Sequence, residues 1–347
     1  MTTVSELHEM ARRLVASGKG ILAADESSGT IKRRFDAIGV ESTEANRRDY
    51  REMLFRTSGA KEYISGVILY DETIRQNAAD GTPLVKVLQD QGIVPGIKVD
   101  AGTKPLAGSP EELVTEGLDG LRERFAEYRN IGARFSKWRG VITIGATIPT
   151  GYCIEVNAHA LARFAALSQE AGIVPIVEPE VLMDGNHSIE RCFEVTRATL
   201  FEVFSQLAHQ RVACQGMLLK PNMVLSGSTF PERAGAEDVA RFTLACFKEA
   251  VPAAVPGIVF LSGGQSDEEA TLNLNAINRL AAVEGAPWQL SFSYGRGLQA
   301  APQKAWSGKP ENLSAGQKAF YHRAKVTAAA REGRYTPEME KEFSAAR

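Results

Sequence analysis

The chain has 347 residues, and 40 lysines and arginines against 42 aspartates and glutamates leave a formal charge of −2. That balance excludes a protein that grips a polyanion along its whole surface, so no nucleic-acid partner is expected. A composition of 44% hydrophobic, 24% charged and 7% aromatic residues is that of a globular chain whose core needs neither disulfides nor metal.

The chain opens Met1-Thr2-Thr3-Val4-Ser5-Glu6-Leu7 and runs into Arg12-Arg13 without an apolar stretch, so no secretory signal is expected. A helix is expected over 4–15, stopping at Gly18. Then short apolar, β-branched segments recur at 21–25, 64–70, 94–99, 135–142, 173–180, 216–220, 257–262 and 289–294. Each gap has room for a helix with its loops, and stretches such as 158–171 and 191–207 carry the helical period. Strand alternating with helix implies parallel pairing. Eight such units fit a (β/α)8 TIM barrel, ordinarily of roughly 250 residues and enlarged here by insertions and terminal helices. An open doubly wound sheet is the competing arrangement. A helix over 313–330 and a short one begun by Thr336-Pro337-Glu338 complete a single domain over 1–347, with its terminal helical region at 313–347.

Cys153, Cys192, Cys214 and Cys246 form no C-x-x-C pair and read as reduced thiols of a cytoplasmic protein. His8, His159, His187, His209 and His322 make no zinc-binding spacing, so no metal is expected. The apolar run 251–261 is too short to span a bilayer, and no membrane partner is expected. No dinucleotide fingerprint or Walker A sequence appears, which leaves nicotinamide and ATP without support.

Chemistry gathers where a barrel would have its mouth, at the C-terminal ends of the strands. Asp25 follows the first segment, Lys98 lies in the third, and Lys137 and Arg139 in the fourth. Glu178 and Glu180 end the fifth, Lys220 the sixth and Ser262 the seventh, while Arg296 follows the eighth. Any one of these, taken singly, is more readily an exposed or satisfied polar residue; their shared position in seven of eight units points to a site. Lys220, carried by an apolar strand with Lys137 and Lys98 as possible neighbours, is either a desolvated nucleophile for a carbonyl or a snorkelling strand-end lysine. Glu178 and Glu180, two apart, share a face and suit proton delivery, or counter-ion duty for the lysines. Ser262-Gly263-Gly264-Gln265-Ser266 and Ser293-Tyr294-Gly295-Arg296-Gly297 are small-residue loops of the kind that hold phosphate after strands seven and eight. Ser27-Ser28-Gly29-Thr30 followed by Lys32-Arg33-Arg34 offers a second anion site at a helix start, so a substrate with phosphate at both ends is expected. Trp138, Trp288 and Trp306 read as packing. The run Arg47-Arg48-Asp49-Tyr50-Arg51-Glu52 reads as a solvated helix face, with Arg47 reaching the site as the lesser reading.

Seven of these segments resemble, in order, those of class I fructose-bisphosphate aldolases. They are Gly20-Ile21-Leu22-Ala23-Ala24-Asp25-Glu26-Ser27, Gly96-Ile97-Lys98-Val99-Asp100, Lys137-Trp138-Arg139, the stretch 173–180, Leu218-Leu219-Lys220-Pro221-Asn222-Met223, 261–266 and 291–296. The resemblance implies a metal-independent barrel with no cofactor that cleaves fructose 1,6-bisphosphate reversibly to dihydroxyacetone phosphate and glyceraldehyde 3-phosphate, in glycolysis and gluconeogenesis. It implies that Lys220 forms the Schiff base and that Glu178 handles protons in carbinolamine dehydration, assisted by Glu180 and Lys137. Asp25 would take the C4 hydroxyl proton. Ser262, Gly263, Gly264, Ser293, Gly295 and Arg296 would hold the 1-phosphate, and Ser27, Arg34 and Lys98 the other end, with Arg47 and Arg139 as further contacts. Sugar phosphates are the implied partners, together with a homo-oligomer, a tetramer being frequent in the family.

Thr30 and Arg33 stand where the family commonly has Ser and Lys, and both keep the needed donors. Many members carry a terminal Tyr that aids proton exchange at C3; this sequence ends Phe343-Ser344-Ala345-Ala346-Arg347. A related Schiff-base aldolase preferring sedoheptulose bisphosphate or a monophosphate, and a non-catalytic scaffold, are the alternatives at this point.

Overall fold

The computed structural model describes residues 3–341; the reading of the N-terminal Met1-Thr2 and of the tail over 342–347 lies outside the described residues. Among the described residues ten strands form: β1 Gly20–Ala24, β2 Ile64–Leu69, β3 Val94–Lys98, β4 Thr103–Leu106, β5 Ser109–Thr115, β6 Phe135–Ile142, β7 Val174–Val181, β8 Leu218–Leu219, β9 Gly257–Phe260 and β10 Gln289–Tyr294. Eight of them close a parallel barrel in the order β1-β10-β9-β8-β7-β6-β3-β2, while β4 and β5 pair antiparallel as a separate hairpin. The expected barrel is therefore present, and the open sheet is not. The hairpin is not among the expected elements: the gap between β3 and β6 reads as room for a helix with its loops, and two short turn-flanked strands come before that helix. Gly102 and Gly108, at φ +91° and +77°, take the left-handed turns that β-carbon-bearing residues avoid.

The helices are α1 Val4–Leu14, α2 Ser28–Asp36, α3 Glu44–Phe55, α4 Asp71–Arg75, α5 Leu84–Asp90, α6 Leu121–Ile131, α7 Gly151–Glu170, α8 Ile189–His209, α9 Ala236–Ala250, α10 Asp267–Glu284, α11 Arg296–Trp306 and α12 Leu313–Arg331. The short element begun by Thr336 is a single 3-10 turn, Pro337–Glu340.

The two-residue period sorts the strands' side chains into two buried clusters. Leu22, Ala24, Val67, Leu69, Trp138, Val177 and Leu219 pack outward with the helices. Ile21, Ala23, Ile68, Val94, Phe135, Val174, Ile176, Leu218 and Val259 fill the interior with Leu7, Ala11 and Leu14 of α1. Helix α1 thus plugs the N-terminal end of the barrel with an apolar face. Its start is fixed by a capping box, in which Glu6 N–H donates to the Thr3 hydroxyl and the Glu6 carboxylate accepts from Thr3 N–H. Following β1, β6 and β7 upward on their inner faces, apolar residues give way to charge: Ile21, Ala23, then Asp25; Phe135, then Lys137 and Arg139; Val174, Ile176, then Glu178 and Glu180. Burying the lower layers at about 25 cal/mol per Å2 of apolar surface stabilises the barrel independently of its charged upper rim.

Trp138, Trp288 and Trp306 are packed in the outer core, Trp138 stacking on Phe164 at 5.8 Å. The solvated reading of 47–52 needs correction. Tyr50 and Arg51 are 0% and 1% exposed, because one face of α3 packs on α2 and α11. There Tyr50 meets Phe35 at 5.7 Å and Trp306 at 5.3 Å. Cys153, Cys192, Cys214 and Cys246 are unpaired. Among the described residues no helix is long and apolar enough to cross a membrane, and no group of three or more His, Cys, Asp or Glu could hold a metal ion.

Candidate active site

A cavity of about 780 Å3 opens at the C-terminal ends of the barrel strands. Fifteen of the sixteen expected site residues line it: Asp25, Ser27, Arg34, Lys98, Lys137, Arg139, Glu178, Glu180, Lys220, Ser262, Gly263, Gly264, Ser293, Gly295 and Arg296. Arg47 is the exception. It points away to α4, its guanidinium gripping Glu72 through Nη2 at 2.5 Å and Nε at 2.8 Å, so its charge is spent on that pair.

At the centre, four charged groups from four strands form a chain. The Lys220 Nζ lies 3.0 Å from Glu178 Oε1, and Lys137 Nζ lies 3.2 Å from Glu178 Oε2 and 2.8 Å from Asp25 Oδ2. The barrel register makes this meeting: Lys98 is paired with Lys137 across β3 and β6, and Lys137 with Ile176 across β6 and β7, two residues below Glu178. Lys220 follows the two-residue β8, and its N–H continues the ladder by donating to Val177 O at 2.8 Å. Pro221, lacking an N–H, ends the strand there.

Burial disfavours charge on all of these groups, and their mutual attraction overcomes it. Burial raises the Asp25 carboxyl, but Lys137, Lys220 and Lys98 outweigh it and hold the group well below the ordinary carboxylate range. For Glu178 burial likewise raises, while Lys137, Lys220 and Arg139 bring the carboxyl down. Burial lowers the Lys137 ammonium, and Asp25, Glu178 and Asp100 push it well above a free lysine. Both carboxylates are therefore ionised at neutral pH. The Lys220–Glu178 contact gives the lysine an adjacent proton acceptor, the requirement for an amine that is to attack a carbonyl.

Beside this centre, Arg139 Nε donates to Glu180 Oε2 at 2.5 Å. The other Glu180 oxygen rests against the loop after β9. A β-carbon on Gly263 would come within 2.6 Å of Glu180 Oε1 and 3.0 Å of Leu261 Cδ1, so any larger residue there has to push those side chains aside. Gly264 has φ +78°, closed to most side chains. Across from it α11 starts immediately after β10, with Gly295 as its N-cap, and its Gly297 N–H faces Ser262 Oγ at 3.4 Å. Arg296 is anchored by donation to Gln265 O at 2.9 Å. Ser293 Oγ is buried without a partner. A helix start, two glycine-rich backbones and a guanidinium make one anion pocket.

The second pocket lies at the start of α2, whose N-cap Ser27 makes no side-chain capping bond and instead donates to Thr30 Oγ1 at 3.2 Å. Thr30, Arg33 and Arg34 line it with Lys98. Overall the lining carries seven cations and five carboxylates, a balance suited to phosphate dianions at two ends.

Two lining carboxylates, Glu26 and Asp100, escaped the sequence reading. Glu26 accepts from Arg34 Nη1 at 2.5 Å and from Gln299 Nε2 at 2.6 Å, with buried Arg51 3.7 Å away. Asp100 lies 2.6 Å from Lys98 Nζ, and its position two residues past Lys98 was the available signal.

The family model described as "Fructose-bisphosphate aldolase class-I" matches residues 6–347. A Xanthomonas campestris protein named "Probable fructose-bisphosphate aldolase class 1" is 55% identical over 334 residues, covering 96% of this chain and 99% of the relative. "Fructose-bisphosphate aldolase 4, cytosolic" of Arabidopsis thaliana is 52% identical over 330 residues, covering 95% of this chain and 84% of the relative. The fold also matches a solved structure of fructose-bisphosphate aldolase from Plasmodium falciparum in complex with TRAP and a small-molecule inhibitor. That match has a TM-score of 0.94 at 47% identity and covers 96% of each chain. With the motifs in order, the barrel closed and the match spanning nearly the whole sequence, this chain belongs to the class I fructose-bisphosphate aldolase family.

Proposed function

We propose that this enzyme cleaves fructose 1,6-bisphosphate reversibly to dihydroxyacetone phosphate and glyceraldehyde 3-phosphate, with Lys220 forming the imine. The observation that carries the residue assignment is the buried chain Lys220–Glu178–Lys137–Asp25, set between two anion pockets. Lys220 passes a proton to Glu178, 3.0 Å away, and its free amine attacks C2 of the open-chain ketose. Glu178 returns a proton to the resulting carbinolamine hydroxyl, which leaves as water, and a protonated iminium remains. Asp25 takes the C4 hydroxyl proton while the C3–C4 bond breaks, and the electrons of that bond pass into the iminium to give an enamine. Glyceraldehyde 3-phosphate departs; protonation of the enamine at C3 and hydrolysis release dihydroxyacetone phosphate and restore the lysine. Lys137 keeps both carboxylates ionised between proton transfers, and Glu180 with Arg139 shapes the wall beside C2.

In this reading Ser262, Gly263, Gly264, Ser293, Gly295 and Arg296 hold the 1-phosphate. Ser27, Arg34 and Lys98 hold the 6-phosphate, joined by Thr30 and Arg33. No cofactor or metal enters any step. The same reading makes the chain a cytoplasmic homo-oligomer, tetrameric by resemblance, which light scattering on the purified protein tests.

The deciding experiment incubates the protein with dihydroxyacetone phosphate, reduces with borohydride and maps the adduct by peptide mass spectrometry. A stoichiometric adduct on Lys220 is expected, and an adduct on another lysine overturns the assignment. Lys220→Arg is expected to be inactive, because a guanidinium stays protonated and cannot attack a carbonyl.

A further inference from the structure

Asp100 has no role in the reaction sequence above, yet it stands between two lysines that do. One of its oxygens, Oδ1, lies 2.6 Å from Lys98 Nζ and accepts from Gly102 N–H at 3.2 Å. The other, Oδ2, accepts from Arg139 N–H at 3.3 Å and faces Lys137 Nζ at 4.0 Å. The Lys98 ammonium is held twice by this one residue, since it also donates to Asp100 O at 2.8 Å. The Asp100 side chain is 3% exposed, so its charge is screened by these partners far more than by water.

We propose that Asp100 is a positioning residue that couples the 6-phosphate pocket to the catalytic centre. With the pocket empty, it parks Lys98; when a phosphate dianion draws Lys98 away, the freed carboxylate turns its charge fully onto Lys137. The Lys137 ammonium, already between Asp25 and Glu178, is thereby fixed most firmly when a bisphosphate is bound. Binding at the far end of the sugar is spent on holding the group beside the reacting carbons, which is how remote binding energy reaches kcat. The inference rests on the site assignment above.

Two opposed effects follow for Asp100→Asn. Lys98 no longer has to leave an ion pair to meet phosphate, so KM for fructose 1,6-bisphosphate falls. Lys137 loses a carboxylate at 4.0 Å, worth about fivefold in kcat when screened as in water and more in the interior. A loosened loop would raise KM as it lowers kcat, so the split separates positioning from a structural role.

The test measures kcat and KM for fructose 1,6-bisphosphate and fructose 1-phosphate in the wild type, Asp100→Asn, Lys98→Met and the double variant, with the borohydride adduct mapped in each. Expected are a kcat lower by about fivefold or more on the bisphosphate and by less on fructose 1-phosphate, a lower KM for the bisphosphate alone, and loss of that KM change in the Lys98→Met background. Unchanged kcat, or a KM that rises on both sugars, overturns the proposal while a Lys220 adduct leaves the site assignment standing. An adduct elsewhere overturns the assignment itself. Should Asp100→Asn fail to fold, Lys98→Met alone reads the coupling. It should alter kcat on fructose 1-phosphate, which offers Lys98 no phosphate, and an unaltered kcat refutes the link.

Discussion

Replacing Lys137 by Met keeps most of the buried stem and deletes one charge, which makes it a sharp probe of the electrostatics. At separations of 2.8 Å to Asp25 and 3.2 Å to Glu178, the gross attractions are about 6 and 5 kcal/mol for an effective dielectric of about 20. Much of this offsets the burial of the ammonium itself, and breaking one partner out of a buried ion pair costs about 3–5 kcal/mol net. Glu178 keeps Lys220 at 3.0 Å, so the loss falls on Asp25, which is left with only the weaker attractions of Lys220 and Lys98 to set against its burial. In the wild type the carboxyls of Asp25 and Glu178 are depressed below their ordinary 3.8 and 4.5. The stability they contribute is therefore complete above about pH 4.5 and drains away as pH falls further. In Lys137→Met the sign for Asp25 reverses. Burial now dominates and raises its carboxyl, so the penalty is full at high pH and relieved as the group protonates on acidification.

Urea unfolding at pH 8, 6.5 and 5 measures this directly. The expected result is a deficit of about 3–5 kcal/mol at pH 8 that narrows steadily toward pH 5, with kcat lower by about 100- to 10,000-fold throughout. A deficit under about 1 kcal/mol, the scale of an exposed pair, or one that does not narrow with pH, would refute the reasoning.

Gly263→Ala places a methyl 2.6 Å from Glu180 Oε1 and 3.0 Å from Leu261 Cδ1, forcing Glu180 off Arg139. An overpacking cost of about 1–3 kcal/mol should appear as a loss of about 10- to 100-fold in kcat/KM, and unchanged kinetics would show that the loop yields freely. Arg51→Met removes the buried guanidinium that donates to Glu26 O at 2.9 Å and lies 3.7 Å from the Glu26 carboxylate. A stability loss of about 3–5 kcal/mol in chemical denaturation is expected, and a loss under about 1 kcal/mol contradicts it. Arg47→Ala should leave KM for the bisphosphate unaltered, because Arg47 is committed to Glu72 outside the cavity; a rise of about tenfold, or 1.4 kcal/mol of binding, would return it to the site.

The barrel was legible because its period is carried by the physics of burial. The segments expected over 135–142 and 289–294 match β6 and β10 residue for residue; each mixes polar with apolar residues, yet apart from Arg139 and Gln289 every one of them is buried. The weaker cases have local causes. The strand expected over 216–220 shrinks to Leu218–Leu219, because Cys214–Gly216 winds into a 3-10 turn before it and Pro221 stops it afterwards. The β4–β5 hairpin lies outside the barrel with an edge of exposed residues, so no hydrophobic alternation announced it.

The site divides along the same line. Residues that end an apolar strand, such as Lys220, Glu178 and Asp25, stand out because charge recurs at the same place in several strands, which the bland reading of any one of them does not explain. Residues whose function lies in binding another side chain do not stand out. Arg47 and Arg51 sit four apart in one charged run and look equivalent in sequence, yet Arg51 is 1% exposed beneath the cavity while Arg47 pairs outside it. Four apart, they share one face of α3, and what separates them is their place along it: Arg47, in the first turn, is met by Glu72 and Ser42 O, whereas Arg51, one turn further on beside the packed Tyr50, reaches Glu26. Asp100 is hidden for a related reason. It follows β3 in a loop where an aspartate is ordinarily a turn former, and only the pairing of Lys98 with Lys137 across β3 and β6 gives its two oxygens a lysine each. Charged residues that end the barrel strands are thus readable from one chain position at a time, whereas the residues that pair with them become visible only when neighbouring strands are set in register.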